Sequence, residues 1–273
     1  MQQIHAVYFS PTGTTRKTCL TVAQTISEAL LLPLSAEDFT LPDKRKEALS
    51  YSAEDIVVIG LPVYAGRLPN LILPYLKTLR GQNTLAVPLV LFGNRNYDDA
   101  LLELGLLLEA QGFSLIGAAA FVGEHAFSRE LGAGRPDRRD MKKIREFGEN
   151  IAVKLKEKAA PKSIWSLLHE EERPLKPYYT PRDRKGTPIN ILKVKPKLDP
   201  SKCIGCGRCV TLCPMGSIDA SDVSVINGIC IKCGACEKGC PAGARYFDDP
   251  GYLYHRSELE AQYSRRARIS VFL

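Results

Sequence analysis

Eight of the nine cysteines fall between positions 203 and 240, in two runs of one form. The first is Cys203, Cys206, Cys209 and Cys213, followed by Pro214. The second is Cys230, Cys233, Cys236 and Cys240, followed by Pro241. Each cysteine of the second run lies 27 positions after its counterpart, and Ile204/Ile231, Gly207/Gly234 and Gly216/Gly243 match at the same offset. This internal repeat predicts two halves related by a pseudo-two-fold axis. Three thiolates spaced two residues apart can wrap one face of an iron–sulfur cubane. A proline after the fourth turns the chain away, so that thiolate reaches the other cluster. The spacing therefore assigns Cys203, Cys206, Cys209 and Cys240 to one [4Fe–4S] cluster, and Cys213, Cys230, Cys233 and Cys236 to the other. Structural zinc takes separated Cys-x2-Cys pairs or mixed Cys/His sets, which this is not. Within "VSVINGIC", Asn227-Gly228 is a hairpin turn signal between the halves. Cys19 stands alone and reads as a small buried hydrophobe.

The second candidate is "FSPTGTT" (9–15), between an apolar run and a helical pattern. Ser10, Thr12, Thr14 and Thr15 supply hydroxyl donors, and Gly13 permits close backbone approach. Free N–H groups at a helix N-terminus favour an anion, so the loop is shaped for a phosphate. It is no Walker loop, because Arg16 and Pro11 stand where glycines would be needed, and it has no Gly-x-Gly-x-x-Gly for a dinucleotide. A plain N-cap run without a ligand is the alternative. The pattern Ser-x-Thr-Gly-x-Thr resembles the FMN phosphate loop of flavodoxins, in register from Ser10 to Thr15.

These groups need a scaffold. "IHAVYF" (4–9), "DIVVIGLPV" (55–63), "TLAVPLVLFG" (84–93) and "FSLIGAAAFVG" (113–123) read as strands, with a weaker one near 33–39. Continuous apolar runs suit strands buried on both faces. Helical patterns cover 14–30, a stretch after Pro69, 98–112 and about 137–158. This alternation predicts an α/β fold, a doubly wound five-stranded parallel sheet of order 2-1-3-4-5, with a small α+β two-cluster domain behind it. The expected divisions are 1–160 for the sheet domain, 161–197 for a Pro/Lys-rich connector, 198–249 for the cysteine domain and 250–273 for a C-terminal extension. In that last segment "YHRSELEAQYSRRAR" can form a helix and "ISVFL" a terminal strand or anchor.

The 273 residues are 45% hydrophobic and 25% charged, an ordinary globular balance. No apolar run approaches the roughly 18 residues of a membrane helix, and the start does not read as a signal peptide. A cytoplasmic location is expected, where a reducing milieu favours metal over disulfides. The net charge of +7 is concentrated in residues 154–197, which carry 12 Lys/Arg against 5 Asp/Glu. That segment is either a solvated linker or a docking strip for an acidic protein. It has no nucleic-acid-binding motif.

Residues 198–249 resemble the bacterial two-cluster ferredoxins. The whole chain resembles the family of flavodoxin–ferredoxin fusion proteins, on "FSPTGTT", "PVYAGRLPN", "GNRNYDDALLEL", "GEHAFS", "GRPDRRD" and both cysteine runs. The resemblance implies FMN and two [4Fe–4S] clusters. It also implies a flavin rim formed by Pro62, Tyr64, Ala65 and Gly66 after the third strand and by Gly93, Asn94 and Tyr97 after the fourth. The tyrosines would stack on the ring and Asn94 would bond its polar edge, while His125, in "GEHAFSRE", reaches the same rim. In one departure from free-standing flavodoxins, which are strongly acidic, residues 1–153 are nearly neutral.

Three functions fit. The first is electron transfer, with other redox proteins as donor and acceptor and with a homodimer allowed. The second is an FMN-dependent reductase of a quinone or nitro compound, with an open pocket lined by His125, Arg129 and Arg135. The third is a redox sensor or scaffold using the basic connector and the tail. The first is preferred.

Overall fold

In the computed structural model, which describes residues 2–273, the apolar runs of the first half form strands and the amphipathic stretches between them form helices. In chain order these are β1 (Ile4–Tyr8), α1 (Thr14–Leu30), β2 (Leu34–Asp38), a 3-10 turn (Pro42–Arg45), β3 (Ser50–Tyr51), β4 (Ile56–Pro62), α2 (Leu73–Leu76), β5 (Arg80–Gly81), β6 (Thr84–Phe92), α3 (Ala100–Ala110), β7 (Phe113–Leu115), β8 (Ala118–Val122) and α4 (Arg138–Lys156). There follow α5 (Ile164–Leu168), β9 (Lys197–Leu198), α6 (Arg208–Thr211), α7 (Ala235–Lys238), β10 (Arg245–Tyr246), α8 (Pro250–Gln262) and β11 (Ser270–Phe272). None of the helices among the described residues is long and apolar enough to cross a membrane.

The main sheet runs β11-β8-β6-β4-β1-β2, with β7 also on β6. Its parallel strands β2, β1, β4, β6 and β8 follow the order 2-1-3-4-5, the flavodoxin-like form of the doubly wound sheet. Residues alternate between its faces. Val57, Ile59, Leu61, Val90 and Phe92 join Leu101, Leu104 and Leu108 of α3 in one core. Ile56, Val58, Leu89 and Leu91 join Val22 and Ile26 of α1 and Ile144, Phe147 and Ile151 of α4 in the other. Cys19 is fully buried there, its thiol donating to the Val58 carbonyl at 3.2 Å.

Three details correct the sequence reading, each for a local reason. The strand expected over 113–123 is split, because Pro88 interrupts its partner. β6 pairs with β7 up to Ala86↔Leu115 and with β8 only from Leu89↔Ala119, while its ladder to β4 is unbroken. The amide hydrogen that proline lacks is thus missing on the β7–β8 side. The sheet has more than five strands, because the C-terminal β11 adds antiparallel to β8, with Val271 opposite Ala119. The helix expected after Pro69 is a single turn, α2.

The cysteine region folds as the repeat implies. Gly207 and Gly234 are left-handed N-caps of α6 and α7, with φ of 67° and 74°. Gly216 and Gly243 share φ near 60°. β9 and β10 pair antiparallel across its ends, Leu198 opposite Arg245. Asn227-Gly228 is not a hairpin turn. The reversal lies between Ile218 and Ile226, which form a bridge, and Asn227 ties its far side by donating to Asp219.

The connector is tied to both flanking regions. Ile164 of α5 packs on Gly105 of α3. Arg173 pairs with Asp99 and Glu170, Arg184 with Glu258, and Lys197 with Asp248. Ile191 closes a small core with Phe247 and Tyr252, joining the connector to the cysteine region and α8.

Candidate functional site

The eight cysteines line two separate cavities. One is bordered by Cys203, Cys206, Cys209 and Cys240, the other by Cys213, Cys230, Cys233 and Cys236. Each cavity thus takes three thiols from one run and the last thiol of the other. Backbone amides turn toward the sulfurs: Ser217 N–H donates to Cys213 Sγ at 3.4 Å, and its repeat counterpart Ala244 to Cys240 Sγ at 3.2 Å. At Cys240, burial works to raise the thiol pKa, but amides of residues 242–245 outweigh it and hold the pKa below the usual range. Burial pushes the Cys236 thiol up to about 12. Left-handed Gly205 and its counterpart Lys232 shape the backbone around each run. Four convergent thiols with N–H groups directed at sulfur suit a thiolate-held cluster. Among the described residues no three Cys, His, Asp or Glu side chains are grouped as around a single metal ion.

The two cavities differ in surroundings. α7 sits on the loop that follows β8. Lys238 donates from Nζ to Glu124, to the His125 carbonyl (2.7 Å) and to the Ser128 carbonyl (2.7 Å). Arg129 bonds the Glu237 carbonyl, and Arg45 the Pro214 carbonyl. Gly234 lies so close that a Cβ there would stand 2.5 Å from the Ala126 carbonyl oxygen. Ile231 and Met215 pack against the sheet-domain core. The Cys213/230/233/236 group is therefore proximal to the sheet edge. The other is distal: Cys206 is exposed, and Ile204 is 69% exposed where its counterpart Ile231 is packed.

The loop from Ser10 to Thr15 opens at the same edge of the sheet. Gly13 caps α1 at φ 87° with no side-chain cap, and Thr12 and Gly13 are exposed. Ser10 Oγ accepts the Arg16 amide. The first-turn amides of Thr14 and Thr15 make no hydrogen bond among the described residues. Thr14 is half-buried, and Thr15 is buried with its methyl against Gly60. Open amides at the start of a 17-residue helix fit a phosphate.

The rim residues divide. Pro62, at the end of β4, and Tyr64 are half-buried, and Ala65 is exposed. Ala65 is left-handed (φ 51°), and its carbonyl accepts the Tyr179 amide. Gly66 is buried where a side chain would strike Asp98. Burial, then the neighbouring Cys233 and Cys230, push the Tyr64 phenol well up. Tyr97 is half-buried, tilted against Phe92 at 5.5 Å.

Asn94 and His125 are not free for a ring. Asn94 is 2% exposed. Its amide donates to the Tyr263 and Arg265 carbonyls, and its oxygen accepts from Arg135 and the Ala267 amide. That fills all four hydrogen-bonding positions of an asparagine side chain. His125 covers Gly93, whose Cβ would fall 2.3 Å from the imidazole, and it accepts the Phe127 amide at Nδ1. Burial, then Lys238, His255 and Arg95, lowers its pKa to about 3. Nor do His125, Arg129 and Arg135 share a pocket. Arg129 is at α7, and Arg135 is buried in a bidentate pair with Asp140. Arg135 borders a cavity of about 520 Å³, which is formed with α4 and residues 266–271.

Sequence reasoning missed Lys238, Tyr178 and Tyr179, and the partners of the tail, whose expected helix and terminal strand form as α8 and β11. Tyr178 donates to the Leu68 carbonyl, and Tyr179 lies under the Arg95 guanidinium at 4.4 Å. The pairing of tyrosines at 178–179 with arginines 67 and 95 had no local signal.

Two family models match, each described as a 4Fe-4S binding domain, over residues 196–219 and 227–243. No curated protein matches the chain. Among solved structures, a flavodoxin from the domain Archaea is similar at 16% identity (57% of this chain, 99% of that chain, TM-score 0.40). A Streptococcus pneumonia TIGR4 flavodoxin is similar at 18% (56% and 99%, TM-score 0.39). The rubredoxin oxygen:oxidoreductase of Desulfovibrio gigas is similar at 17% (59% and 38%, TM-score 0.42).

Proposed function

We propose that the chain is an electron-transfer protein. In this reading two [4Fe–4S] clusters, held by Cys203, Cys206, Cys209 and Cys240 and by Cys213, Cys230, Cys233 and Cys236, exchange electrons with an FMN at the edge of the doubly wound sheet. Ser10, Thr12, Gly13, Thr14 and the open amides of α1 would hold the phosphate, with Tyr64, Ala65 and Tyr97 nearest the ring. Asn94 and His125 support the rim from behind. Clusters move single electrons and a flavin takes one or two, so together they convert between one- and two-electron chemistry.

The observation that carries the reading is the seat of α7 on the loop after β8. Through Lys238 and Gly234 it sets the proximal cysteines on the same sheet edge as the 10–15 loop. The exposed face around Ile204 and Cys206 leaves the distal group within reach of a second redox protein. A cytoplasmic setting suits eight unpaired thiols. The reductase reading is the weaker one, because the residues that would line its pocket serve as ties between segments.

The test is anaerobic. Protein reduced by dithionite is mixed with oxidised ferredoxin, or with a quinone or nitroarene. Reoxidation by the protein acceptor is expected. Fast reoxidation by small acceptors alone would sink the proposal. The holoprotein is expected to carry about eight iron atoms and to release FMN on denaturation.

A further inference from the structure

The repeat that pairs the cysteine runs also pairs Ile218 with Arg245, each five positions after the last cysteine of its run. Both are buried, and each borders a different cavity: Ile218 the proximal one, Arg245 the distal one. Arg245 is 2% exposed. Its Nη2 donates to the Val223 carbonyl and lies 3.6 Å from Cys209 Sγ. Its Nε and Nη1 are buried and have no hydrogen-bond partner among the described residues. Leaving donors of a buried cation unpaired costs several kcal/mol, so they are expected to find acceptors. What faces this guanidinium is the space among four thiols. The proximal cavity presents Ile218, Ile226, Ile229 and Phe247 instead, and the Lys232 ammonium beside it is spent on the Leu192 and Cys230 carbonyls.

We propose that Arg245 donates hydrogen bonds from Nε and Nη1 to the sulfurs of the distal cluster and so holds its reduction potential above that of its repeat partner. The inference rests on the iron–sulfur reading above. Reduction adds a negative charge to a cluster that is already anionic. A fixed cation with N–H donors at sulfur favours the reduced form and raises the potential, more strongly where water is excluded. The proximal cavity has Lys232 as its cation, but that ammonium is turned to carbonyls and no buried guanidinium lines the space, so the help there is weaker. An electron shared between the two clusters then rests on the exposed distal one, and the inner one fills only at a lower poise.

The experiment is an anaerobic potentiometric titration of the full holoprotein followed by EPR, for wild type, Arg245→Ile and Arg245→Gln. Wild type is expected to give two separated midpoints. Arg245→Ile, which copies the other half of the repeat, lowers the upper midpoint by at least a tenfold change in the oxidised/reduced ratio, ~59 mV for one electron, and leaves the lower one in place. Arg245→Gln drops the charge but keeps two donors, and is expected to shift the same midpoint by less. If Arg245→Ile loses iron, Arg245→Gln decides. Two intact clusters with unmoved midpoints, or with both midpoints moved equally, overturn the proposal. A wild-type protein that assembles no clusters refutes the underlying reading instead, so the two failures are distinct.

Discussion

Replacing Gly234 with alanine tests whether the cysteine region is docked as described, and the repeat supplies its own control in Gly207. Both glycines are left-handed N-caps of short helices carrying matched cysteines. A residue with a side chain in that conformation costs about 1–2 kcal/mol at either position. The difference lies outside the repeat. A Cβ at Gly207 meets nothing within 4 Å, whereas one at Gly234 would stand 2.5 Å from the Ala126 carbonyl oxygen. That oxygen is backbone and cannot swing aside, so the interface must open or α7 must shift. Overpacking of this kind costs about 1–3 kcal/mol more, roughly a 5- to 150-fold rise in the undocked population. Hydrogen exchange under anaerobic conditions, followed in peptides covering 124–130 and 235–239, should speed up in Gly234→Ala and stay near wild type in Gly207→Ala. Iron content should be equal in the two. Equal exchange in both variants would mean that α7 does not rest on this loop, and the proximal–distal distinction would fall with it.

Cys206→Ala removes one thiolate of the distal group; iron is expected to drop from about eight to four atoms or slightly fewer, with flavin content unchanged. Gly13→Val places a β-branched residue at φ 87°, where it is strongly strained; flavin per chain should fall at least several-fold while iron stays, as read by extracted FMN and iron assays. Stability should fall on acidification from about pH 6.5 toward 4. His125 and His255 are held near 3 and 4, by burial first and then by Lys238, His255 and Arg95 for the former and by Arg95 for the latter. Both are neutral when folded and protonate when unfolded, so the unfolded chain binds more protons across that window, at ~1.4 kcal/mol per pH unit for each histidine. His5, whose pKa is raised by Glu37 and Asp55 against burial, works in the opposite direction. Urea midpoints at pH 7 and pH 5 measure the net effect, and His255→Phe should roughly halve the histidine contribution.

The elements with strong local signals were legible in the sequence. α1 spans 14–30 as its pattern predicts, and β4 and β6 match their apolar runs within a residue or two. Their burial depends on their own side chains, so periodicity reports it. Pro88 was visible, yet its effect falls on a neighbouring strand, and only the register shows which side of β6 lacks a donor. Asn94 was chosen for a ligand because it follows a strand at the right edge. Its partners are carbonyls of Tyr263 and Arg265, roughly 170 residues away and without periodicity to announce them. The connector's contacts escaped for the same reason, being single arginines, tyrosines and backbone bonds with no spacing rule. The tail's helix and terminal strand were legible and form α8 and β11, but the strand it pairs with was not.

The repeat shows where legibility ends. Matching at 27 residues predicts equal halves, and the left-handed glycines are indeed equal. The mismatches, Arg208 against Ala235 and Ile218 against Arg245, stand in the sequence as plainly as the cysteines do. In isolation they read as drift between duplicated segments. They acquire physical meaning only because one half is docked and the other is not. The exposed Arg208 keeps its face in water, and Ala235 lets α7 lie flat against the sheet domain. The buried Arg245 lines the distal cavity and so puts its cation beside the thiols on the more exposed side. A symmetric pair of sites has no preferred end. Docking one half and charging the other gives this chain an inside and an outside, which the proposed relay between a partner and a sheet-edge cofactor would require.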